Sequence, residues 1–591
     1  MAPKSNYPTV TKGILILFLV LKSGTGIAQS KVEQIHELLS TYEEYDKFNG
    51  SVLVSDQGKV IYKNGFGLAN MEWNIPNQPN TKHRLGSITK QFTAMLILQL
   101  VAEGKLDLQT PITTYLPDYP KANGDSITCH HLLAHTSGIP NYTSFPQFME
   151  EISRDPYTPE EFVKMFADKE LEFRPGEKFS YSNSGYFLLG VIIEKLTGKS
   201  YEQMLQEKIF TPLGMKDSGY DNHADILKNR ATGYEKQGRD YVNSDYLDMT
   251  IPYAAGSMYS TVEDLYKWDQ ALYTTKLLPE EYMSMYFEPQ ISAWGNTHYA
   301  YGWVVGYTEI GNSTDSIYAI GHGGGINGFN TNITRTTSDK SLVVLLTNTG
   351  VGPLGGAPLN DITKAILAII HGKGYDMAKQ SVADVVLAII EAEGIDKGIA
   401  RYHQIKDSKD YSLNEAEMNA MGYVLLRSDR KDEASKIFQL IVEEFPLSFN
   451  AYDSYGESLM RLGKNELAIK NYRKSVELNP NNQNAITFLK ELGDDVSDLV
   501  KEVKVDDAIL ATYVGEYELQ PGFTLTVTKE GNQLMTQATG QPTVAIYPKS
   551  ETEFYFKVVD AQIVFNKNDA GEIDSLTLFQ GGQEMIGKRI D

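Results

Sequence analysis

The sequence predicts a multidomain α+β chain, and three observations carry the prediction. Strand-like runs and strongly apolar helical runs alternate through about the first 370 residues. From about residue 381 the pattern turns to helix pairs on a 34-residue beat, and the tail returns to short alternating strands. At 591 residues the chain is too long for one ordinary domain. The expected division is residues 1–28 as a signal peptide, 29–375 as a sheet-and-helix domain, 376–500 as helical repeats and 501–591 as a small β-domain.

Composition removes several functions. A net charge of -22 argues against nucleic acid or an anionic membrane surface as partner. Cys129 is the single cysteine, so there is no internal disulfide, thiolate metal site or Cys-x-x-Cys redox motif. It lies in apolar surroundings and reads as a small buried residue. No metal and no organic cofactor is expected.

The first residues read as a secretory signal. Lys4 and Lys12 precede the apolar run Gly13 to Leu21, and Gly26-Ile27-Ala28 offers small residues before a cut ahead of Gln29. The run is short for a membrane span, although an uncleaved N-terminal anchor is the alternative. The expected location is periplasmic or secreted, with no later transmembrane segment.

Residues 31–47 look like a short charged helix. Ser51 to Ser55 and Lys59 to Tyr62 flank Asp56-Gln57-Gly58, which is a β-hairpin signal. Next comes Ser87-Ile88-Thr89-Lys90, followed by an almost wholly apolar helical run from Phe92 to Ala102 with Gly104 as its stop. A helix apolar on nearly all sides is buried. Residues three apart share a helix face, so Lys90 can direct its amine at the Ser87 hydroxyl. Burial lowers a lysine pKa and lets the amine accept a proton, which activates the serine as a nucleophile. The helix N-terminus adds N–H groups where an oxyanion would form. Ser-x-x-Lys is common by chance, so other residues must support it.

His131 and His135 are four apart, as in a zinc helix, but no glutamate follows His131 to serve as a base. Phe179 to Tyr186 form a polar cluster before an apolar helix, Phe187 to Leu196. That places Tyr181 and Asn183 in a loop at a helix start, where site residues concentrate. Ser182, Asn183 and Ser184 are equally good helix caps. A third cluster, Gly321-His322-Gly323-Gly324-Gly325, follows the strand-like run Ser316 to Ile320. Phe329 to Thr336 and Ser341 to Asn348 read as two further strands. Glycines in a strand mark the close approach of another backbone or a ligand, and His322 could donate a hydrogen bond into that groove.

Taken in this order, Ser87-Ile88-Thr89-Lys90, Tyr181-Ser182-Asn183 and His322-Gly323-Gly324 resemble the motifs of the serine β-lactamase and penicillin-binding-protein superfamily. The nearer likeness is to the branch with class C β-lactamases, D-alanyl-D-alanine carboxypeptidases, D-aminopeptidases and related esterases. His131 to Gly138 and Ala255 to Leu265 resemble it too, and the likeness covers about residues 35–370. It implies a β-lactamase-like antiparallel sheet flanked by helices, plus an all-helical region, with the site between them. It also implies roles. Ser87 is the acylated nucleophile, and Lys90 and Tyr181 share the base and acid work, in an order the resemblance leaves open. Asn183, His322 and Gly324 contact substrate, and the N–H groups of Ser87 and Gly325 form the oxyanion hole. Where many members carry lysine, this sequence has His322, mostly neutral at pH 7. Gly323 also lacks the hydroxyl of threonine. Both differences weaken a carboxylate clamp and favour an esterase or D-peptidase over a strong β-lactamase or carboxypeptidase.

In the second half, Gly422 and Gly456, Ala434 and Ala468, Phe438 and Tyr472, and Pro446 and Pro480 are each 34 apart. Ala388 and Ala400 are the expected equivalents one step earlier. The order resembles tetratricopeptide repeats, serving either as a spacer or as a groove for a peptide or protein partner. Phe523, Leu525 and Val527 alternate with threonines in the tail, as in a small barrel or sandwich. Tyr513 to Tyr517 resemble the start of a β-domain often appended to this hydrolase family, and would cover the active-site face or bind a partner.

The expected function is an exported serine hydrolase acting through an acyl-enzyme on esters or D-amino-acid amides and peptides. The alternatives are a penicillin-recognising or partner-binding protein with vestigial catalysis, or D-alanyl-D-alanine carboxypeptidase or β-lactamase activity.

Overall fold

The computed structural model describes residues 29–590, apart from residues 238–239, 351–356, 497–498, 500–503, 521–522, 540, 542, 557–558, 560, 569–570 and 581–582. The predicted signal peptide, residues 1–28, lies outside the described residues.

Helix α1 spans Lys31–Glu44 and opens with a capping box between Ser30 and Glu33. The predicted hairpin follows as β1 (Gly50–Asp56) and β2 (Lys59–Phe66), joined through Gln57 and Gly58, both at positive φ. Six further strands complete one antiparallel sheet. They are β3 (Ile291–Ser292), β4 (Thr297–Tyr299), β5 (Val304–Glu309), β6 (Ser316–Ile326), β7 (Phe329–Thr336) and β8 (Ser341–Thr347), and the spatial order is β3-β4-β5-β6-β7-β8-β1-β2.

Both faces of this sheet are covered, which is why β8 reads as an unbroken apolar run rather than an alternation. Leu342, Val344 and Leu346 face one core, shared with α2 (Thr89–Ala102) and α3 (Asn183–Thr197). Val343 and Leu345 face a second core, with α1 and α5 (Leu359–His371). Between α2 and β3 runs the largely helical region, which includes the short helix α4 (Tyr253–Gly256). Cys129 is fully buried in the first core. No described helix is long and apolar enough to cross a membrane.

The repeat region forms helix pairs. Added Cβ atoms at Gly422 and Gly456 would lie 2.5 Å from the Phe438 ring and 2.9 Å from the Tyr472 ring, so the small residues stand where paired helices touch. One expectation is corrected. In the first pair the close contact is Gly398 against Ile390, and Ala400 is exposed. The second helix, Ile395–Ile405, follows the first after the single residue Gly394, whereas three residues separate the next pair. Its register is therefore shifted by two. The repeats reach the sheet-and-helix domain through ion pairs Lys47–Glu417 and Lys236–Asp384, at 3.6 Å and 3.9 Å.

Eight strands between Gly515 and Arg589 close into a barrel around Tyr517, Val527, Ile546, Phe554, Ile563 and Leu576. Its Gln562 Nε2 donates to the Leu478 carbonyl at 3.1 Å, so it meets the last paired repeat helix.

Candidate active site

Three backbone features bring the predicted residues together. The first is the Gly86–Ile88 3-10 turn that leads into α2 and leaves Ser87 partly exposed, with Lys90 fully buried behind it. Gly86 takes φ +53°, and a Cβ there would lie 2.9 Å from the Gly325 carbonyl oxygen. The second is the N-terminus of α3. Its Ser182 side chain donates to the Ile139 carbonyl rather than capping, and the Asn183 N–H donates to Asn141 Oδ1 instead. The third is the overhang of β6. Pairing with β5 ends at Gly321, whereas pairing with β7 continues to Ile326. Ile326 and Phe329 close a two-residue turn as a hydrogen-bonded pair, so the alternate residues Gly323 and Gly325 aim their N–H groups away from β7. They point to the open edge beside the Ser87 turn.

Lys90 Nζ has three close polar neighbours. It donates to Asn183 Oδ1 at 2.7 Å and to the Ala255 carbonyl at 2.9 Å, and it lies 3.1 Å from Ser87 Oγ. Tyr253 at φ +41° opens α4, whose carbonyl at Ala255 faces the amine. Burial drives the Lys90 pKa well below the ordinary lysine value. The amine also lies 4.8 Å from the centre of the Tyr181 ring. Burial raises the Tyr181 phenol, and its buried oxygen has no hydrogen-bond partner. That oxygen can therefore reach for an incoming group.

His322 is buried and has both nitrogens engaged. Nδ1 lies 2.6 Å from the Gly323 carbonyl, which only accepts, so the ring proton sits there. Nε2 then accepts from the Tyr299 hydroxyl at 3.0 Å. Burial lowers its pKa to about 4, against the opposing hydrogen bond to the Gly323 carbonyl. The imidazole is neutral at pH 7 and donates nothing into the groove, which corrects the expectation of a His322 donor. Gly324 is also placed differently. A Cβ on it would lie 2.0 Å from the Leu85 carbonyl oxygen, so it packs against the chain just before Ser87. Asn183 turns its oxygen to Lys90 and leaves Nδ2 with only a long contact, 3.4 Å to Thr143.

Sequence reasoning missed several neighbours. The Ala255 carbonyl is a backbone atom and leaves no sequence signal. Tyr299, Phe179 and Trp294 form an aromatic wall beside Tyr181, with Trp294 at 5.0 Å from Phe179 and 5.9 Å from Tyr181, and 51% exposed. Only an unexplained tryptophan in a loop could have hinted at it. Arg84, three residues before Ser87, is held by Asp221 at 2.5 Å. Among the described residues no cluster of three metal-ligating side chains occurs.

A serine hydroxyl backed by a buried amine, at the seam of an antiparallel sheet and a helical region, is the equipment of a serine hydrolase. The chain belongs to the beta-lactamase family, whose model matches residues 33–367. A tetratricopeptide repeat matches residues 449–482 and a domain of unknown function residues 500–589. The chain is 31% identical over 367 residues to penicillin-binding protein 4* of Bacillus subtilis, covering 60% of this chain and 79% of that one. It is 29% identical over 259 residues to the teichoic acid D-alanine hydrolase of Staphylococcus aureus, covering 42% and 62%. Among solved structures, the D-amino acid amidase of Ochrobactrum anthropi is 28% identical with a TM-score of 0.51, covering 57% of this chain and 98% of that one.

Proposed function

We propose that the protein cleaves esters or amides of D-configured acyl groups that carry no free carboxylate, through an acyl-enzyme on Ser87. The observation that carries this reading is the set of three neighbours around Lys90 Nζ. A neutral amine has two N–H bonds and one lone pair. Asn183 Oδ1 and the Ala255 carbonyl take the two N–H bonds, which leaves the lone pair for the Ser87 hydroxyl proton.

In acylation, Ser87 Oγ bonds to the substrate carbonyl carbon as its proton passes to Lys90. The N–H groups of Ser87 and Gly325 stabilise the oxyanion. The carbon–leaving-group bond then breaks, the leaving group takes the Tyr181 phenol proton, and Lys90 returns a proton to Tyr181. Water repeats the cycle from the other side and releases the acid. Asn183 Nδ2 and the Trp294 wall hold the substrate. The neutral His322 and the engaged Arg84 disfavour substrates that need a carboxylate clamp. The D-amino-acid chemistry in the names of two similar proteins supports the choice of acyl group. The apolar segment Gly13 to Leu21 supports export to the periplasm or medium.

A fluorophosphonate or penicillin probe should label Ser87, vanish in Ser87→Ala and fall steeply in Lys90→Ala. A nitrophenyl ester should turn over faster than a nitrocephin-type lactam. Absence of both label and turnover defeats the proposal, and much faster lactam turnover defeats the substrate assignment.

A further inference from the structure

His135 follows the short helix Cys129–Leu133 and turns the chain at φ +57°, in the left-handed region that few residues other than glycine enter. From there one residue holds Tyr181 at three points. The His135 carbonyl accepts the Ser180 N–H at 2.8 Å. Its Nδ1 accepts the Ser182 N–H at 3.1 Å. Its ring lies against the Tyr181 ring with centroids 4.1 Å apart and 33° between planes. Tyr186 at 4.9 Å, Tyr299 at 4.7 Å and Phe179 at 5.9 Å enclose the imidazole.

The imidazole is uncharged. Burial is the cause, and it holds the imidazole well below its ordinary range. With Nδ1 accepting, the ring proton resides on Nε2, which is buried and has no partner. A ring kept neutral, in a strained backbone, with one nitrogen unsatisfied, is an expensive way to fill space. What it gains is visible in the contacts. The backbone N–H groups of Ser180 and Ser182, the two neighbours of Tyr181, and the face of its ring are fixed together, while the phenol oxygen is left unpartnered toward the nucleophile.

We infer that His135 is the positioning residue for the Tyr181 phenol, setting where that oxygen sits without touching the reacting atoms. The inference rests on the proposed acid–base role of Tyr181. A group beside the chemistry whose support is loosened by about 1 Å can lose about 100-fold in rate.

Two variants separate the contacts. His135→Asn tolerates positive φ and offers an acceptor oxygen near the Nδ1 position, but it removes the ring. His135→Phe keeps the ring and removes the acceptor. Each is measured alone and with Tyr181→Phe, by single-turnover acylation with a nitrophenyl ester from pH 5 to 10, alongside thermal unfolding. Each single variant should lower the acylation rate by about tenfold or more, leave KM within about twofold and shift the pH profile. In the Tyr181→Phe background the same substitutions should change the residual rate by less than about twofold. Losses that multiply in that background, or that follow the unfolding temperature with an unshifted pH profile, overturn the inference. If Tyr181→Phe alone costs nothing, Tyr181 leaves the mechanism and the inference falls with it, whereas Ser87 labelling still reports on the acyl-enzyme.

Discussion

Lys90 Nζ lies 2.7 Å from Asn183 Oδ1, and this contact does more than orient a side chain. The amide oxygen is neutral. It fixes the amine without supplying the negative charge that would keep it protonated in a site where burial already favours the uncharged form.

Asn183→Asp tests this. The substitution is nearly isosteric and places a carboxylate beside Lys90, which raises the amine's pKa by favouring its charged form. The rise of kcat/KM with pH should therefore move to higher pH. At neutral pH the rate should fall by about tenfold or more. A pH–rate profile of ester hydrolysis reads this directly, and an unmoved profile removes Lys90 as the group that must be deprotonated.

The nucleophile turn depends on a missing methyl group. A Cβ on Gly324 would lie 2.0 Å from the Leu85 carbonyl oxygen and 2.5 Å from Thr331 Oγ1, far inside contact distance. Thr331 Oγ1 itself donates to that same Leu85 carbonyl at 2.8 Å. Gly324→Ala should push the Ser87 turn away from the β6 edge and widen the gap to the Gly325 N–H. Acylation should drop by about 100-fold, the scale of one lost oxyanion donor, with a smaller change in KM. Near-normal kcat in a folded Gly324→Ala protein contradicts this account.

Much of this arrangement was legible in the sequence because it depends on local rules. The apolar run after Ser87 dictated a buried helix, and the 3-residue spacing put Lys90 behind the hydroxyl. The hairpin turn, the strands at 316–347 and the 34-residue beat followed from period and punctuation. What escaped depends on backbone atoms and on partners distant in sequence. The Ala255 carbonyl belongs to no residue type. The engagement of both His322 nitrogens requires knowing that Tyr299 arrives from two strands away. Gly398 replaced Ala400 in the first repeat because a single-residue helix connection shifted the register, and connection length is poorly marked in sequence.

His322 should leave a signature in stability. Its imidazole is pulled down to about 4 in the fold, against an ordinary value of about 6.5 in the unfolded chain. The depressed group contributes fully above about pH 6.5, and the contribution is lost as pH falls toward 4, where the unfolded state binds a proton the folded state refuses. The loss over that window is about 3 kcal/mol. Relative to wild type, His322→Gln should lose less stability between pH 6.5 and 4. Denaturant unfolding at stepped pH measures the difference, and parallel curves for the two proteins contradict the buried, neutral imidazole.

Trp294 offers the most direct hold on substrate choice. It is half exposed, yet its ring stands edge-on to Phe179 at 5.0 Å and tilted to Tyr181 at 5.9 Å, so one face remains open at the mouth of the site. An open aromatic face beside the acyl position attracts flat or bulky apolar groups and is indifferent to small ones. A ring contact of this type contributes about 0.5–1.5 kcal/mol beyond area burial. Trp294→Ala should therefore raise KM by about threefold to tenfold for a D-phenylalanyl ester while an acetyl ester is little affected. Because the wall also touches Tyr181, kcat for the acetyl ester is the control: if it falls as far as kcat for the aromatic ester, the tryptophan supports the phenol rather than the substrate, and the assignment of an aromatic acyl subsite is wrong.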